Sequence, residues 1–240
     1  MKKAIIIGSS SGIGMQLAQV MSKDGYILGL TGRRFELLDK LKSELSGESY
    51  TKYMDISNIT DTTNTLEELI AEMGGVDLII VSAGIGHVNN ELEWSLEEET
   101  INVNVLGVTA IINFAMQYFL EKKSGHLAVI SSIAALRGGS DAPAYNASKA
   151  YISNYMEGIR CKVKKEKKNI TITDIKPGFV DTAMAKGEGL FWVMPLEKAT
   201  DQIYVAIKNR RDEVYITKRW AVLGFILKMM PRRLYCKILG

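Results

Sequence analysis

Short runs of apolar, β-branched residues alternate with stretches of helical period from the start of the chain almost to its end. Residues 3–7, 26–31, 49–54, 76–81, 126–131 and 170–175 read as strands. Several are apolar on both faces, as strands covered by helices on each side must be. Residues 13–24, 35–46, 61–73, 96–122 and 144–168 between them read as helices. This alternation predicts an α/β fold built on a doubly wound parallel sheet with helices on both faces. No repeat, low-complexity tract or linker interrupts it, so residues 1–240 read as a single domain. Residues 184–196 are less regular and sit where a lid beyond a strand end is expected.

Composition narrows the class. A hydrophobic fraction of 47% with 24% charged residues excludes disorder and collagen-like structure. Cys161 and Cys236 are too few for a disulfide framework, and His87 and His126 argue against a His-based metal site, so no metal is expected. Behind its two lysines, the N-terminal apolar run is cut short at Gly8 and reads as a buried strand rather than a signal peptide. The apolar stretch 221–227 near the end is seven residues, against roughly 20 for a bilayer span. A cytoplasmic protein is the expectation. The net charge of +3 is unevenly spread: from Lys208 onward nine Lys and Arg face only Asp212 and Glu213, a local +7 that leaves −4 for the first 207 residues.

The first strand runs directly into Gly8-Ser9-Ser10-Ser11-Gly12-Ile13-Gly14 and then into a helical stretch. Glycines at this spacing let the backbone approach a pyrophosphate while the helix N-terminus aims amides at it. The spacing is G-x-x-x-G-x-G rather than G-x-G-x-x-G, and the strand–turn–helix context carries most of the weight. The second strand ends in Gly32-Arg33-Arg34 with no acid before Glu36. An acid there would suit ribose hydroxyls and NAD. Arg33 and Arg34 offer donor forks to a 2′-phosphate and favour NADP, with NAD still possible.

Tyr-x-x-x-Lys occurs three times, at Tyr118/Lys122, Tyr145/Lys149 and Tyr204/Lys208. Only Tyr145 follows, by 13 residues, a serine at the end of a buried strand, Ser132. On a helix Lys149 shares a face with Tyr145, and its ammonium would favour the phenolate of a group whose ordinary pKa near 10 is high for proton transfer. A serine hydroxyl can hold a substrate oxygen while the tyrosine moves the proton. The other two pairs read as surface tyrosines beside solvated lysines.

With these residues in view, the chain over roughly residues 3–182 resembles the short-chain dehydrogenase/reductase (SDR) family, in an NADP-preferring form. The resemblance rests on Gly8, Gly12, Ile13 and Gly14; Ala83-Gly84; Asn104 in Asn102-Val103-Asn104-Val105-Leu106-Gly107; Ser132; Tyr145-Asn146-Ala147-Ser148-Lys149; and Pro177-Gly178-Phe179-Val180-Asp181-Thr182. It implies a Rossmann-type sheet with Tyr145 as proton donor or acceptor. Lys149 would lower the Tyr145 pKa and bind the nicotinamide ribose, Ser132 would orient the carbonyl, and Asn104 would hold a relay water. It also implies adenine contacts from Asp55 and Ile56 and nicotinamide contacts from Val180 and Thr182. Ile7 and Val81-Ser82 depart from the family's usual Thr and Asn-Asn, exchanging polar braces of the cofactor cleft for apolar packing.

Met184, Phe191, Trp192 and Met194 fall where the resemblance places a substrate lid, with Gly187 and Gly189 as hinge candidates. They read either as an apolar substrate wall or as core packing. In the tail, residues 218–240, apolar side chains at 220–230 cover nearly the whole circumference of a helix. That pattern fits packing on protein or peripheral contact with a membrane through basic flanks. The basic run 160–168 reads as a solvated helix end, and no nucleic-acid partner is expected. The resemblance further implies a homodimer or homotetramer through the helices at 96–122 and 144–168. The leading expectation is NADPH-dependent reduction of an apolar ketone or aldehyde. An NAD-linked alcohol dehydrogenase and a non-catalytic nucleotide sensor or scaffold are the alternatives.

Overall fold

The computed structural model describes residues 2–185 and 191–238. Seven parallel strands form one sheet in the order β3-β2-β1-β4-β5-β6-β7. They are β1 (Lys3–Ile7), β2 (Ile27–Gly32), β3 (Ser49–Tyr53), β4 (Leu78–Val81), β5 (Ser124–Ile130), β6 (Asn169–Pro177) and β7 (Glu213–Ile216). The helices are α1 (Gly12–Lys23), α2 (Phe35–Glu44), α3 (Ile59–Met73), α4 (Trp94–Ile101), α5 (Val108–Lys122), α6 (Pro143–Lys165), α7 (Leu196–Lys208), α8 (Lys218–Met229) and α9 (Arg232–Ile238).

Period-two alternation within the strands sorts the core into two layers. In β1, Ile5 and Ile7 join Leu66 and Leu69 of α3, Ile111 and Phe119 of α5, and Ile152 and Met156 of α6. Ala4 and Ile6 face Leu17 and Met21 of α1, Leu38 of α2, and Ile203 and Ile207 of α7 on the opposite side. The departure at Ile7 belongs to this packing: it is buried in register with Val81, and its carbonyl accepts from the Ser82 amide at 2.8 Å. Strand order reverses between β1 and β4, which opens a crevice at their carboxyl ends, the usual ligand position in such sheets.

The expected strands and helices appear with boundaries shifted by a few residues, and three described elements had no counterpart in the sequence reading. They are α7, α9 and β7, which extends the sheet beside β6. Residues 94–122 form one continuous helical rod, passing from α4 through a π-helical turn (Asn102–Gly107) into α5. The rod is long and apolar enough by composition to cross a membrane, but half of its apolar window is buried, and α5 supplies part of the sheet's core.

The two spare Tyr/Lys pairs are structural pegs, which corrects their reading as solvated surface residues. Tyr118 accepts from the Val76 amide at 3.1 Å, and Lys122 donates to the Val76 carbonyl at 2.6 Å and to Asp77 at 2.8 Å, fixing the approach to β4. Tyr204 is buried and donates to Asp24, which Lys208 also reaches at 3.2 Å, so α7 is tied to the end of α1.

His126 of β5 is buried, with Nε2 2.8 Å from Thr173 Oγ1. Thr173 gives its only proton to the Arg211 carbonyl at 2.6 Å, so the imidazole is the donor to Thr173. Burial, with Arg210 acting the same way, pushes its pKa from 6.5 down to about 4. An unfolded chain takes up that proton at a higher pH. Stability from this group is therefore complete above pH ~6.5 and is lost as pH falls toward ~4. Urea titrations at pH 7 and 4.5 should show the wild type losing ~2–3 kcal/mol more than His126→Gln over that interval. Equal losses would refute the assignment.

Candidate active site

The glycine turn after β1 is stitched to its neighbours. The amides of Gly8 and Ser9 both donate to the Thr31 carbonyl at 2.9 Å. Gly8 has φ +85°, and a Cβ on it would lie 2.5 Å from the Ala83 amide nitrogen, so the turn closes against the loop after β4 only because that atom is absent. Ile13 and Gly14 lie in the first turn of α1, whose N-cap, Ser11, makes no side-chain capping bond. The first amides of α1 are thus free of a protein cap at the point where an anion would sit. Arg34 Nη2 donates to Ser10 Oγ at 3.1 Å and Ser11 Oγ at 2.6 Å, bringing one guanidinium onto the turn from the end of β2. Arg33 beside it is exposed.

Asn104 sits in the π-helical turn, a distortion that often re-aims a side chain at a functional site. Its Oδ1 accepts from the Ile85 amide at 2.9 Å, and its Nδ2 donates to the Ile85 carbonyl at 2.7 Å and to Ser148 Oγ at 3.1 Å. Asn104 thereby fastens the loop carrying Ala83 and Gly84 to α6. A Cβ on Gly84 would be 3.2 Å from both Asn104 Oδ1 and Lys149 Nζ, which places these three residues around one point.

Ser132 follows β5 and caps a short 3₁₀ turn, Ile133–Leu136, accepting from the Ala134 amide at 3.1 Å. Tyr145 lies in the first turn of α6, behind Pro143, whose fixed φ suits a helix start. Lys149, one turn on, is buried and donates to the Ile130 carbonyl at 3.2 Å, with Nζ 5.7 Å from the centre of the Tyr145 ring. This geometry revises one expectation. Burial pushes the Tyr145 phenol above its ordinary value, with the Ser132 hydroxyl acting against that, so the phenol is not acidified by Lys149 here. Burial also pulls the Lys149 ammonium down to about 8, opposed by Asp174.

Asp174 and its network escaped the sequence reading. Its carboxylate accepts from Ser131, from Ser153 at 2.7 Å and from Lys176 at 2.5 Å, all beneath Lys149. Lys176 also pairs with Glu213 at 3.0 Å. These bonds satisfy a buried carboxylate and tie β6 to the end of β5 and to α6. Only the sheet register, which sets Val129 of β5 against Asp174 of β6, brings these residues together.

The remaining cofactor-side candidates are divided. Thr182 packs near Gly12, with its Cγ2 3.5 Å from where a Cβ would stand. Val180 is buried and bridges to Met194. Asp55 is engaged locally, accepting from the Ser57 amide and hydroxyl at 3.0 and 2.8 Å, and Ile56 is buried. Pro177 ends β6, and the side of Gly178 where a Cβ would project is filled by Trp220 at 2.0 Å.

On the substrate side, Met194 packs against the core, while Met184, Phe191 and Trp192 are exposed. Phe191 and Trp192 join Phe179 and Trp220 in a cluster whose ring centres lie 5.3–5.9 Å apart. Trp220 comes from the tail and Phe179 from the loop after β6; neither was singled out from sequence. The hinge candidates Gly187 and Gly189 lie outside the described residues.

Comparison with known proteins agrees with this architecture. The family profile described as short chain dehydrogenase matches residues 2–190. An uncharacterized oxidoreductase of Myxococcus xanthus is 30% identical, over 98% of this chain and 94% of its own. The human 3-oxoacyl-[acyl-carrier-protein] reductase is 29% identical, over 85% of this chain and 88% of its own. Among solved structures, a Burkholderia phymatum short chain dehydrogenase/reductase in complex with NAD superposes with a TM-score of 0.84 at 19% identity, covering 99% of this chain and 94% of that one. With a family profile spanning most of its length and a seven-stranded sheet of the same type, the chain belongs to the short-chain dehydrogenase family of oxidoreductases.

Proposed function

We propose that the chain is an NADPH-dependent carbonyl reductase, converting an apolar ketone or aldehyde to an alcohol with Tyr145 as proton donor. The convergence of Asn104, Ser132, Tyr145 and Lys149 beside the glycine turn, at the carboxyl ends of β4 and β5, carries this reading.

The turn fits a dinucleotide. Gly8 lets the turn close tightly against the loop after β4, and the first amides of α1 carry no side-chain cap. Gly8, Ser10, Ser11, Gly12, Ile13 and Gly14 would hold the phosphates, and Arg33 and Arg34 the 2′-phosphate. Asp55, Ile56, Ala83 and Gly84 would border the adenosine side, and Pro177, Gly178, Val180 and Thr182 the nicotinamide side. Bound NADP would supply the hydride. The chain's part is to place a carbonyl oxygen against the Ser132 hydroxyl and deliver the Tyr145 proton to that oxygen as negative charge develops. The high phenol pKa suits an acid that must stay protonated until then. Lys149, a cation sustained by Asp174, would stabilise the phenolate left behind and hold the ribose, and Asn104 would anchor a relay water.

The Burkholderia phymatum protein was solved with NAD; the Arg34 contacts with Ser10 and Ser11 favour NADP in this chain. The human relative's name points to a 3-oxo group on an acyl chain, and an apolar acyl chain suits the aromatic cluster at the mouth. Initial rates with NADPH and NADH across carbonyls of rising chain length test the whole reading. NADPH should be preferred and longer apolar substrates favoured, and Arg33→Ala/Arg34→Ala should erode the cofactor preference by about 10-fold or more. Preference for NADH, or for short polar sugars, would overturn it.

A homodimer or homotetramer is also proposed. The groove of about 430 Å³ between α4 and α6, lined by Ile101, Val105, Pro143 and Tyr151, offers the surface. Light scattering should give a multiple of 26.6 kDa rather than the single-chain mass. A cytoplasmic location, peripheral to a membrane, goes with the next inference.

A further inference from the structure

The fold uses only one side of α8. Trp220 and Gly224 are buried, Trp220 against Gly178 and the Phe179 ring, and Gly224 over Leu136 and Ile133. The chain beyond is tied down as well. Arg137 donates to the Met230 carbonyl at 2.8 Å, and the Tyr235 hydroxyl donates to the Gly138 carbonyl. The tail is therefore anchored, and its orientation is set.

The opposite side is apolar and open. Val222, Phe225, Ile226 and Met229 are 63%, 68%, 48% and 70% exposed. Their i, i+3, i+4, i+7 spacing lines them up as one stripe about 10 Å long. Scattered exposed apolar residues need no explanation, but four large ones in register mark a contact surface. Leu234 on α9 and Phe191, Trp192 and Val193 beside Trp220 are also exposed and extend the apolar character toward the aromatic mouth.

Charge selects the occupant. Residues 218–240 contain six basic side chains and no acidic one, while the preceding 217 residues carry a net −3. Lys218, Arg219, Lys228, Arg232, Arg233 and Lys237 are all exposed, and none is in an ion pair among the described residues. A second copy docked symmetrically on this stripe would set these cations against their own equivalents. A polyanionic surface that also accepts four apolar side chains is an anionic lipid bilayer.

We propose that the outer face of α8, with the basic residues of α8 and α9, docks this protein on an anionic bilayer. The stripe enters the acyl boundary, and the cations lie among the headgroups. The long-chain substrates proposed above partition into such a phase, and the aromatic cluster adjoins the docked surface. The docking itself does not depend on that activity.

Flotation of the full-length protein with vesicles tests this without a turnover measurement. Vesicles of phosphatidylcholine with roughly one-third phosphatidylglycerol should carry most of the protein, and vesicles of phosphatidylcholine alone about 10-fold less. Phe225→Ser/Met229→Ser and Arg232→Glu/Arg233→Glu should each cut flotation about 10-fold with an unchanged melting temperature, because all four residues are exposed. Absence of flotation with the anionic vesicles, equal flotation with both compositions, or flotation indifferent to both double variants would overturn the proposal. So would a drop in mass by light scattering in Phe225→Ser/Met229→Ser, which would assign the stripe to contact between copies.

Discussion

Tyr145→Phe is expected to reduce carbonyl turnover by about 10²–10⁴-fold while leaving NADPH affinity within about 3-fold of wild type. The substitution removes one oxygen and its proton and keeps the ring, which lies beside Gly86 and 5.7 Å from Lys149 Nζ. Lys149 keeps its bond to the Ile130 carbonyl, and the Asn104 bonds to Ile85 do not involve the phenol. Loss of rate without loss of binding therefore isolates proton delivery from cofactor positioning. Stopped assays with NADPH and a long-chain ketone read the rate, and quenching or enhancement of NADPH fluorescence reads the affinity. Turnover within about 10-fold of wild type would remove Tyr145 from the mechanism, whatever the cofactor result.

Gly8→Ala is expected to have the largest effect on the fold itself. At φ +85° an alanine is strained, and its Cβ would approach the Ala83 nitrogen and Cα to 2.5 and 2.6 Å. Both obstructing atoms are backbone at the end of the β1–β4 pairing, so no rotamer change relieves the contact. Strain and overpacking of ~1–3 kcal/mol each suggest a cost of ~2–5 kcal/mol. For a chain of this size that lowers the melting temperature by roughly 5–20 °C. Weakened cofactor binding should accompany it, because the same displacement moves the amides of Gly8 and Ser9 away from Thr31. Gly158→Ala is the control: it lies inside α6 with nothing within 4 Å of the added Cβ, and should stabilise by ~0.5–1 kcal/mol. A melting temperature for Gly8→Ala within about 2 °C of wild type would contradict this account of the turn.

The residues expected to do chemistry were legible because each is tied to a local pattern. The glycine turn follows a buried strand, Ser132 ends another, and Tyr145 and Lys149 are one helical turn apart. The same local logic misread Tyr118/Lys122 and Tyr204/Lys208. Their spacing shows that the side chains share a face but not what that face meets, and each pair holds a segment distant in the chain: Val76 and Asp77 in one case, Asp24 in the other. The acidity expected for Tyr145 failed for a related reason. Helical spacing placed an ammonium nearby, but burial of the phenol, a consequence of packing, pushes its pKa the other way.

The tail shows the division most clearly. Its sequence carried a basic, apolar segment open to two readings, packing on protein or contact with a membrane surface. The structure separates the two faces: Trp220 and Gly224 turn inward, and the stripe from Val222 to Met229 stays exposed. By itself, then, the sequence determined the strand–helix alternation, the glycine turn and the spacing of the Ser132, Tyr145 and Lys149 set. Those depend on backbone conformation and side-chain period over a few neighbouring residues. The tertiary structure alone decided the Asp174 network under Lys149, the Trp220 lid on Gly178 and the exposed face of α8. Each of these depends on contacts between segments brought together only when the sheet closes, at separations where residue period carries no information.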